Sequence, residues 1–216
     1  MKKSLTHSSE TRGKKELNLY SYRAANVRLT WCKQVVSLIK KFKIKSINDL
    51  GCNYFQFYKE IKHQKLNYSY FGYDIDEKFT SIGVKHFPSI KKKYKIGNIE
   101  NIKLRKADCS IISGTLAHSD YPLRILKNIF KSTNKIIIIR DMFGKNNIEK
   151  ISRYKTLHPV NYRQFSFENI SRLMNKNNYT TFFILDEATD YSTKFKNKKF
   201  ALNRKYYVMV GLKNGR

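Results

Sequence analysis

The sequence predicts an α/β fold: a mostly parallel sheet with helices on both faces and one antiparallel edge strand. Three observations predict it. Short apolar segments alternate with helical patterns along most of the chain, which is the order of βαβ units. The run "IIII" at Ile136 to Ile139 is continuously apolar, as expected of a mid-sheet strand covered on both faces. The last two apolar segments follow one another without a helical pattern between them, which pairs them antiparallel and gives seven strands in all.

In chain order, residues 1–15 are polar and read as a frayed terminus. From about residue 17 to 43, Ala24, Val27, Trp31, Val35, Leu38 and Ile39 recur at helical spacing, so one or two helices are expected there. "SINDL" (46–50) is a short strand and "YKEIKHQKL" (58–66) a helix. "YSYFGYDI" is an aromatic-rich strand, "SIGVKHF" a short helix or turn, and "KYKIGN" contains a third strand. "ADCSIISG" (107–114) is the fourth strand, and Pro122 marks the first turn of the helix "YPLRILKNIFKS". After the strand "NKIIIIRD", Ser166 caps the helix "SFENISRLMNKNN". "YTTFFILDE" and "KYYVMVGLK" are the last strands, joined by a polar link from Ala188 to Arg204.

Composition narrows the function classes. A chain of 216 residues suits one domain. The formal charge of +28 would favour phosphate-bearing partners. The excess is mostly lysine in a chain also rich in Asn and Ile, as a coding bias would produce, so nucleic acid is possible but not favoured. Cys32, Cys52 and Cys109 form no CxxC pair, so neither a metal centre nor a disulfide framework is expected, and a reduced, cytoplasmic setting fits. The basic first fifteen residues have no apolar segment and do not read as a signal peptide. The longest apolar run is too short to cross a membrane.

In a parallel sheet, ligands gather beyond the carboxyl ends of the strands. Asp49 and Gly51 end the first strand. The glycine permits a sharp turn and close approach of a ligand, and the carboxylate can accept from turn amides or attract a cation. The fingerprint GxGxxG is absent, with Asn53 and Phe55 at the later positions, which disfavours a dinucleotide. Asp74 ends the second strand, 23 residues after Gly51, where a carboxylate can accept from both hydroxyls of a ribose. Asp76 competes for this role, and helix capping is the alternative use of either aspartate. Asn98 follows the third strand, where an amide suits an adenine edge, unless it only forms a Gly-Asn turn. Ser113 and Gly114 end the fourth strand, and His118 follows as a candidate base.

These segments together resemble the class I S-adenosylmethionine-dependent methyltransferases. "DLGCNYFQF" is similar to the family's first glycine motif, "YFGYDID" to its ribose-binding motif, and "IGN" to its adenine contact. "ADCSIISGTLAHSDYP" resembles its fourth-strand segment, and "YRQFSFENISRLMNKNNYTTFFI" its last helix and following strand. The resemblance spans residues 46–212. It implies a Rossmann-like methyltransferase fold over 44–216, an N-terminal helical lid at 16–43, and S-adenosyl-L-methionine as cofactor. The implied cofactor residues are Asp49, Gly51, Cys52, Asn53, Asp74, Ile75, Asn98, Ile99, Ser113 and Gly114. Two positions depart from the pattern: the first loop lacks its later glycines, and Asn98 replaces the usual acid.

"SGTLAH" is unlike the Asn/Asp-Pro-Pro-aromatic run of enzymes that methylate amino groups of nucleic acids or proteins. The implied activity is therefore methyl transfer to a small-molecule or sugar acceptor, a hydroxyl, as in a surface-glycan precursor. His118 is the candidate catalytic base. Tyr20, Arg23 and Arg140 are candidate substrate contacts, with Arg28 beside them, since arginine suits a phosphate or carboxylate. An RNA methyltransferase and a non-catalytic relative that binds a partner are the alternatives.

Overall fold

A computed structural model describes residues 14–152, 159–186 and 206–215. Among these residues, nine strands form one sheet. The described residues begin with helices α1 (Lys14–Asn26) and α2 (Thr30–Ile39), followed by β1 (Ser46–Leu50), α3 (Gln56–His63), β2 (Ser69–Asp74) and α4 (Glu77–His86). Then come β3 (Tyr94–Ile96), β4 (Ala107–Ser113), α5 (Pro122–Ser132) and β5 (Thr133–Gly144). The remaining elements are β6 (Ile148–Ser152), β7 (Val160–Ser166), α6 (Phe167–Lys176), β8 (Tyr179–Leu185) and β9 (Tyr206–Lys213). Helix α1 begins at Lys14, so the last two residues of the expected frayed segment are helical, while residues 1–13 and the polar link at 188–204 lie outside the described residues.

The strands β3, β2, β1, β4 and β5 are parallel neighbours in that order. Strand β9 runs antiparallel against β5, and β8 pairs antiparallel with β9. The antiparallel strand thus lies one place in from the edge, and β8 occupies the edge itself. These seven strands are the predicted sheet. The order reverses direction between β1 and β4, so the crevice for a ligand opens at the carboxyl ends of these two strands.

The sequence of β5 explains its central place. Ile136 and Ile138 face one layer, and Ile137 and Ile139 the other. The first layer holds Trp31, Val35, Val36 and Ile39 of α2 with Phe57, Tyr58 and Ile61 of α3. The second holds Ile125, Leu126 and Ile129 of α5 with Ile170 and Met174 of α6. Helix α2, expected as part of a lid over 16–43, is therefore a core helix. Its apolar positions match one sheet face, and only α1 is left to cover anything else. The linker between α1 and α2 is fixed by Arg28, whose Nε and Nη2 donate to the two carboxylate oxygens of Glu60 at 2.9 and 2.7 Å.

A hairpin not read from the sequence adds the last two strands. Strand β5 runs on past the sheet to Gly144, and its end pairs with β7 in parallel while β6 pairs antiparallel with β7. The hairpin packs a small apolar cluster of its own: Ala117, Met142, Val160 and Tyr162. Ser166 then caps α6, its hydroxyl accepting from the Asn169 N–H, as the sequence predicts.

Candidate active site

One cleft lies at the carboxyl ends of β1 to β4. Gly51, Asn53, Asp74, Ile75, Asn98, Ile99, Ser113, Gly114 and His118 all line it, with Tyr20 reaching in from α1. Four successive strand ends thus deliver most of the predicted residues to one rim. Asp49, Cys52, Arg23 and Arg140 do not line it.

The first loop solves its shortage of glycines by keeping the backbone and changing the side chains. Gly51, Asn53 and Phe55 all have left-handed backbones, with φ of 76°, 51° and 60°. Gly51 accepts this at no steric cost, and asparagine tolerates it. For Phe55 the conformation is strained by about 1–3 kcal/mol. Packing offsets the strain: the Phe55 ring is fully buried, in space left open by two glycines elsewhere. A Cβ at Gly83 of α4 would stand 2.3 Å from that ring, and one at Gly72 of β2 would stand 3.2 Å away. The bulk at Phe55 therefore points into the core and away from the cleft. Gly51 has its own close neighbour, since a Cβ there would meet Thr115 Oγ1 at 2.1 Å.

Asp74 ties this loop to the second strand. Its Oδ2 accepts the Asn53 N–H at 2.7 Å, and its Oδ1 accepts the Asp76 N–H at 2.9 Å. Burial pushes its carboxyl up to about 6, against the pull of these N–H groups. A carboxylate offers about four lone-pair sites, so lone pairs remain for hydroxyl donors beyond those engaged by the loop N–H groups, the Ile75 N–H among them. The competitor Asp76 is occupied as the cap of α4, accepting from the Phe79 N–H at 3.1 Å.

Asp49 sits beneath the loop. It is 5% exposed and accepts the Tyr70 hydroxyl proton at 2.6 Å. Burial pushes its carboxyl up to about 7, the Tyr70 hydrogen bond works against that, and Asp74 adds a smaller upward push. Cys52 is buried as well, under Gly72, where a Cβ would come within 2.8 Å of its Sγ. Both residues support the loop from inside. Asn53 Oδ1, by contrast, is buried and has no hydrogen-bond partner. Such an atom calls for a donor.

On the far side, Asn98 Oδ1 accepts the Glu100 N–H at 2.9 Å, which leaves its amide nitrogen as the group to offer an adenine edge. Glu100, unmarked in the sequence, is 8% exposed and its Oε1 accepts the N–H groups of both Asp120 and Tyr121 at 2.9 Å. It joins the β3 loop to the start of α5. Thr115, next to Ser113 and Gly114 at the fourth strand's end, lines the cleft too, and Gln56, Phe79, Ser119 and Ile125 do so without a sequence signal. Most come from first helical turns and connecting loops, whose position relative to the strand ends is not set by periodicity.

The arginines are committed elsewhere. Arg140 donates from Nε and Nη2 to the two oxygens of Asp186 at 3.1 and 2.9 Å, and from Nη1 to Ser113 Oγ at 3.3 Å. Its guanidinium lies over the rings of Trp31 and Tyr206. Arg23 lies near the Tyr54 hydroxyl, where its charge opposes the upward push that burial gives that group. No lysine or arginine is among the described residues lining the cleft, despite the +28 charge of the chain.

His118 lies in a 3-10 turn, Leu116–His118, after β4. Its Nδ1 is 2.6 Å from the carbonyl oxygen of Asn161 on β7. The turn is held from β5 by Asp141, a fully buried carboxylate whose Oδ2 accepts the Ala117 N–H at 3.1 Å.

No family model matches the sequence, and no curated protein matches it. Solved structures do. A S-adenosylmethionine-dependent methyltransferase from Clostridium acetobutylicum ATCC 824 superposes with a TM-score of 0.64 at 13% identity, over 93% of this chain and 98% of that one. Magnesium protoporphyrin IX methyltransferase from Synechocystis PCC 6803, with bound SAH, gives a TM-score of 0.61 at 11% identity, covering 93% and 86%. The 1,6-didemethyltoxoflavin-N1-methyltransferase of Burkholderia thailandensis, with bound 1,6-didemethyltoxoflavin and S-adenosylhomocysteine, gives 0.59 at 11% identity, covering 87% and 80%. The chain has the Rossmann-like fold of the class I S-adenosylmethionine-dependent methyltransferases.

Proposed function

We propose that the chain binds S-adenosyl-L-methionine in this cleft and transfers its methyl group to an uncharged small-molecule acceptor, a hydroxyl such as that of a sugar. The observation that carries the reading is the meeting of Gly51, Asp74 and Asn98, from three separate strand ends, on one rim. The unpartnered Oδ1 of Asn53 fits the same ligand, because an amino-acid ammonium group would supply the missing donor.

The sulfonium cofactor supplies a methyl carbon already activated for transfer, with a neutral thioether as leaving group. The protein's work is then positioning. Asp74 accepts from the ribose hydroxyls through its remaining lone pairs. Asn98 offers its amide nitrogen to the adenine edge, between the apolar walls Ile75, Ile99 and Phe79. Tyr20 covers the cleft from above. Its ring lies 5.3 Å from that of Phe79 and 5.6 Å from that of Tyr54, and Lys59 Nζ anchors the end of α1 by donating to the carbonyls of Ala24 and Ala25. In this reading α1 alone is the lid.

The acceptor side holds Ser113, Thr115, His118 and Ser119, all neutral hydrogen-bonding groups apart from a titratable imidazole. Phosphate recognition uses lysine and arginine, and the described lining has neither. That favours an uncharged hydroxyl compound over RNA. Incubation of the purified protein and labelled cofactor with fractionated metabolites and with total RNA tests this choice. Label is expected in neutral small molecules. Incorporation confined to RNA, lost at high salt, would count against it.

A further inference from the structure

The β6–β7 hairpin adds to the predicted seven-stranded sheet, and several of its polar contacts run to the segment that carries His118. The Asn161 carbonyl meets His118 Nδ1 at 2.6 Å. A carbonyl only accepts, so Nδ1 carries the proton and, in the neutral ring, Nε2 carries the lone pair. The Asn161 side chain, 2% exposed, donates from Nδ2 to the Ser119 carbonyl at 3.3 Å and to Asp120 Oδ1 at 3.1 Å. Arg163, next but one on β7, donates to the same Ser119 carbonyl and pairs with Glu149 on β6. The Tyr162 ring stands edge-on to the imidazole, 4.8 Å between centroids at 88°. Both sides of His118 are therefore gripped: Asp141 holds the turn before it and Asn161 the residues after it.

We propose that the β6–β7 hairpin positions His118 as the proton acceptor of the transfer reaction, by fixing the imidazole in the Nδ1–H tautomer with Nε2 as its basic nitrogen. The inference rests on the methyl-transfer reading above. In the step it describes, the acceptor O–H bond gives its proton to Nε2 as the oxygen forms a bond to the methyl carbon. The carbon–sulfur bond breaks with its electron pair remaining on sulfur. His118 becomes an imidazolium and returns its proton to solvent. Asn161 and Arg163 touch no substrate in this account and act through the histidine.

The test is a long-range proton–nitrogen NMR spectrum of the histidine rings in the 15N-labelled full chain near pH 8, with the His118 signals identified by their loss in His118→Gln. The expected result is a neutral ring protonated at Nδ1. A neutral ring protonated at Nε2 would overturn the proposal. Arg163→Ala and Asn161→Ala, each checked for folding by circular dichroism, are expected to mix the two tautomers. A tautomer unchanged in both folded variants would also overturn it, and Arg163→Ala remains informative if Asn161→Ala does not fold. Titration with S-adenosylhomocysteine separates the two layers of the account. Failure of the wild type to bind it sinks the methyl-transfer reading, whereas binding with the wrong tautomer sinks only the role of the hairpin. With an accepted substrate, His118→Gln is expected to lower kcat about 10²–10⁴-fold while leaving S-adenosylhomocysteine affinity unchanged.

Discussion

Gly83 and Phe55 share one space: a methyl group on Gly83 would stand 2.3 Å from the Phe55 ring, and 2.8 Å from the Tyr54 backbone. The glycine of a surface helix and the bulky residue of a left-handed loop are a matched pair. In an ordinary helix interior, Gly→Ala stabilises by about 1 kcal/mol. Here Gly83→Ala is expected to destabilise by about 1–3 kcal/mol through overpacking. In a Phe55→Ala background the penalty should shrink, because the ring is gone while the Tyr54 backbone remains. Urea denaturation of the four proteins of the cycle measures the coupling. A stabilising Gly83→Ala in the wild type would show that the space is not shared.

Gly51→Ala is expected to weaken S-adenosylhomocysteine binding by more than about tenfold, for two reasons. Its backbone has φ of 76°, and its Cβ would meet Thr115 Oγ1 at 2.1 Å. Adding Thr115→Ala should recover part of the affinity, since it removes the collision but not the backbone strain. Calorimetric titration of the single and double variants checks this. No recovery would place the whole effect on the backbone.

Asp49 gives a pH signature. Its folded-state pKa is raised by burial to about 7, above its ordinary value of 3.8. Such a group's stabilising contribution is fully present below pH about 4 and is lost as pH rises through about 7. Asp49→Asn does not titrate and keeps an oxygen for the Tyr70 hydroxyl. It is therefore expected to be more stable than wild type by roughly 1–3 kcal/mol at pH 8, with the difference vanishing toward pH 4. Thermal melts of both proteins across that range supply the comparison. An Asp49→Asn protein that loses stability at pH 8 would mean that the carboxylate is stabilising as a charge.

Arg140→Ala should act on stability. The substitution takes from Asp186, whose side chain is fully buried, a guanidinium that is itself 12% exposed. Breaking such a pair costs about 3–5 kcal/mol. Arg140→Ala is expected to lower Cm in urea while S-adenosylhomocysteine affinity in the folded fraction stays within about threefold. A stable variant with lost binding would instead return Arg140 to the site.

The parallel sheet was legible because burial on two faces writes continuous apolar runs, of which Ile136 to Ile139 is the clearest. Gly51, Asp74, Asn98 and Ser113 were legible because each stands where such a run stops. Asp49 was harder to place. Its identity and spacing resemble a ligand contact, but a strand alternates its faces, and whether a strand-end carboxylate meets solvent or a buried Tyr70 is decided by the neighbouring strand. Arg140 was ambiguous for the same reason, since its partner Asp186 lies 46 positions away. Trp31 to Ile39 read correctly as a helix, but periodicity does not say which surface the helix covers. The β6–β7 hairpin left no clean alternation: Val160, Asn161 and Tyr162 are consecutive and all buried.

The central claim is that Asp74 grips a ribose at the rim it shares with Gly51 and Asn98. Isothermal titration of the wild type and of Asp74→Ala with S-adenosylhomocysteine, each shown by circular dichroism to be folded, tests it most directly. The account predicts saturable one-to-one binding by the wild type and a loss of about tenfold or more in the variant. Equal affinity in the two proteins, or no binding by the wild type at millimolar ligand, would contradict it.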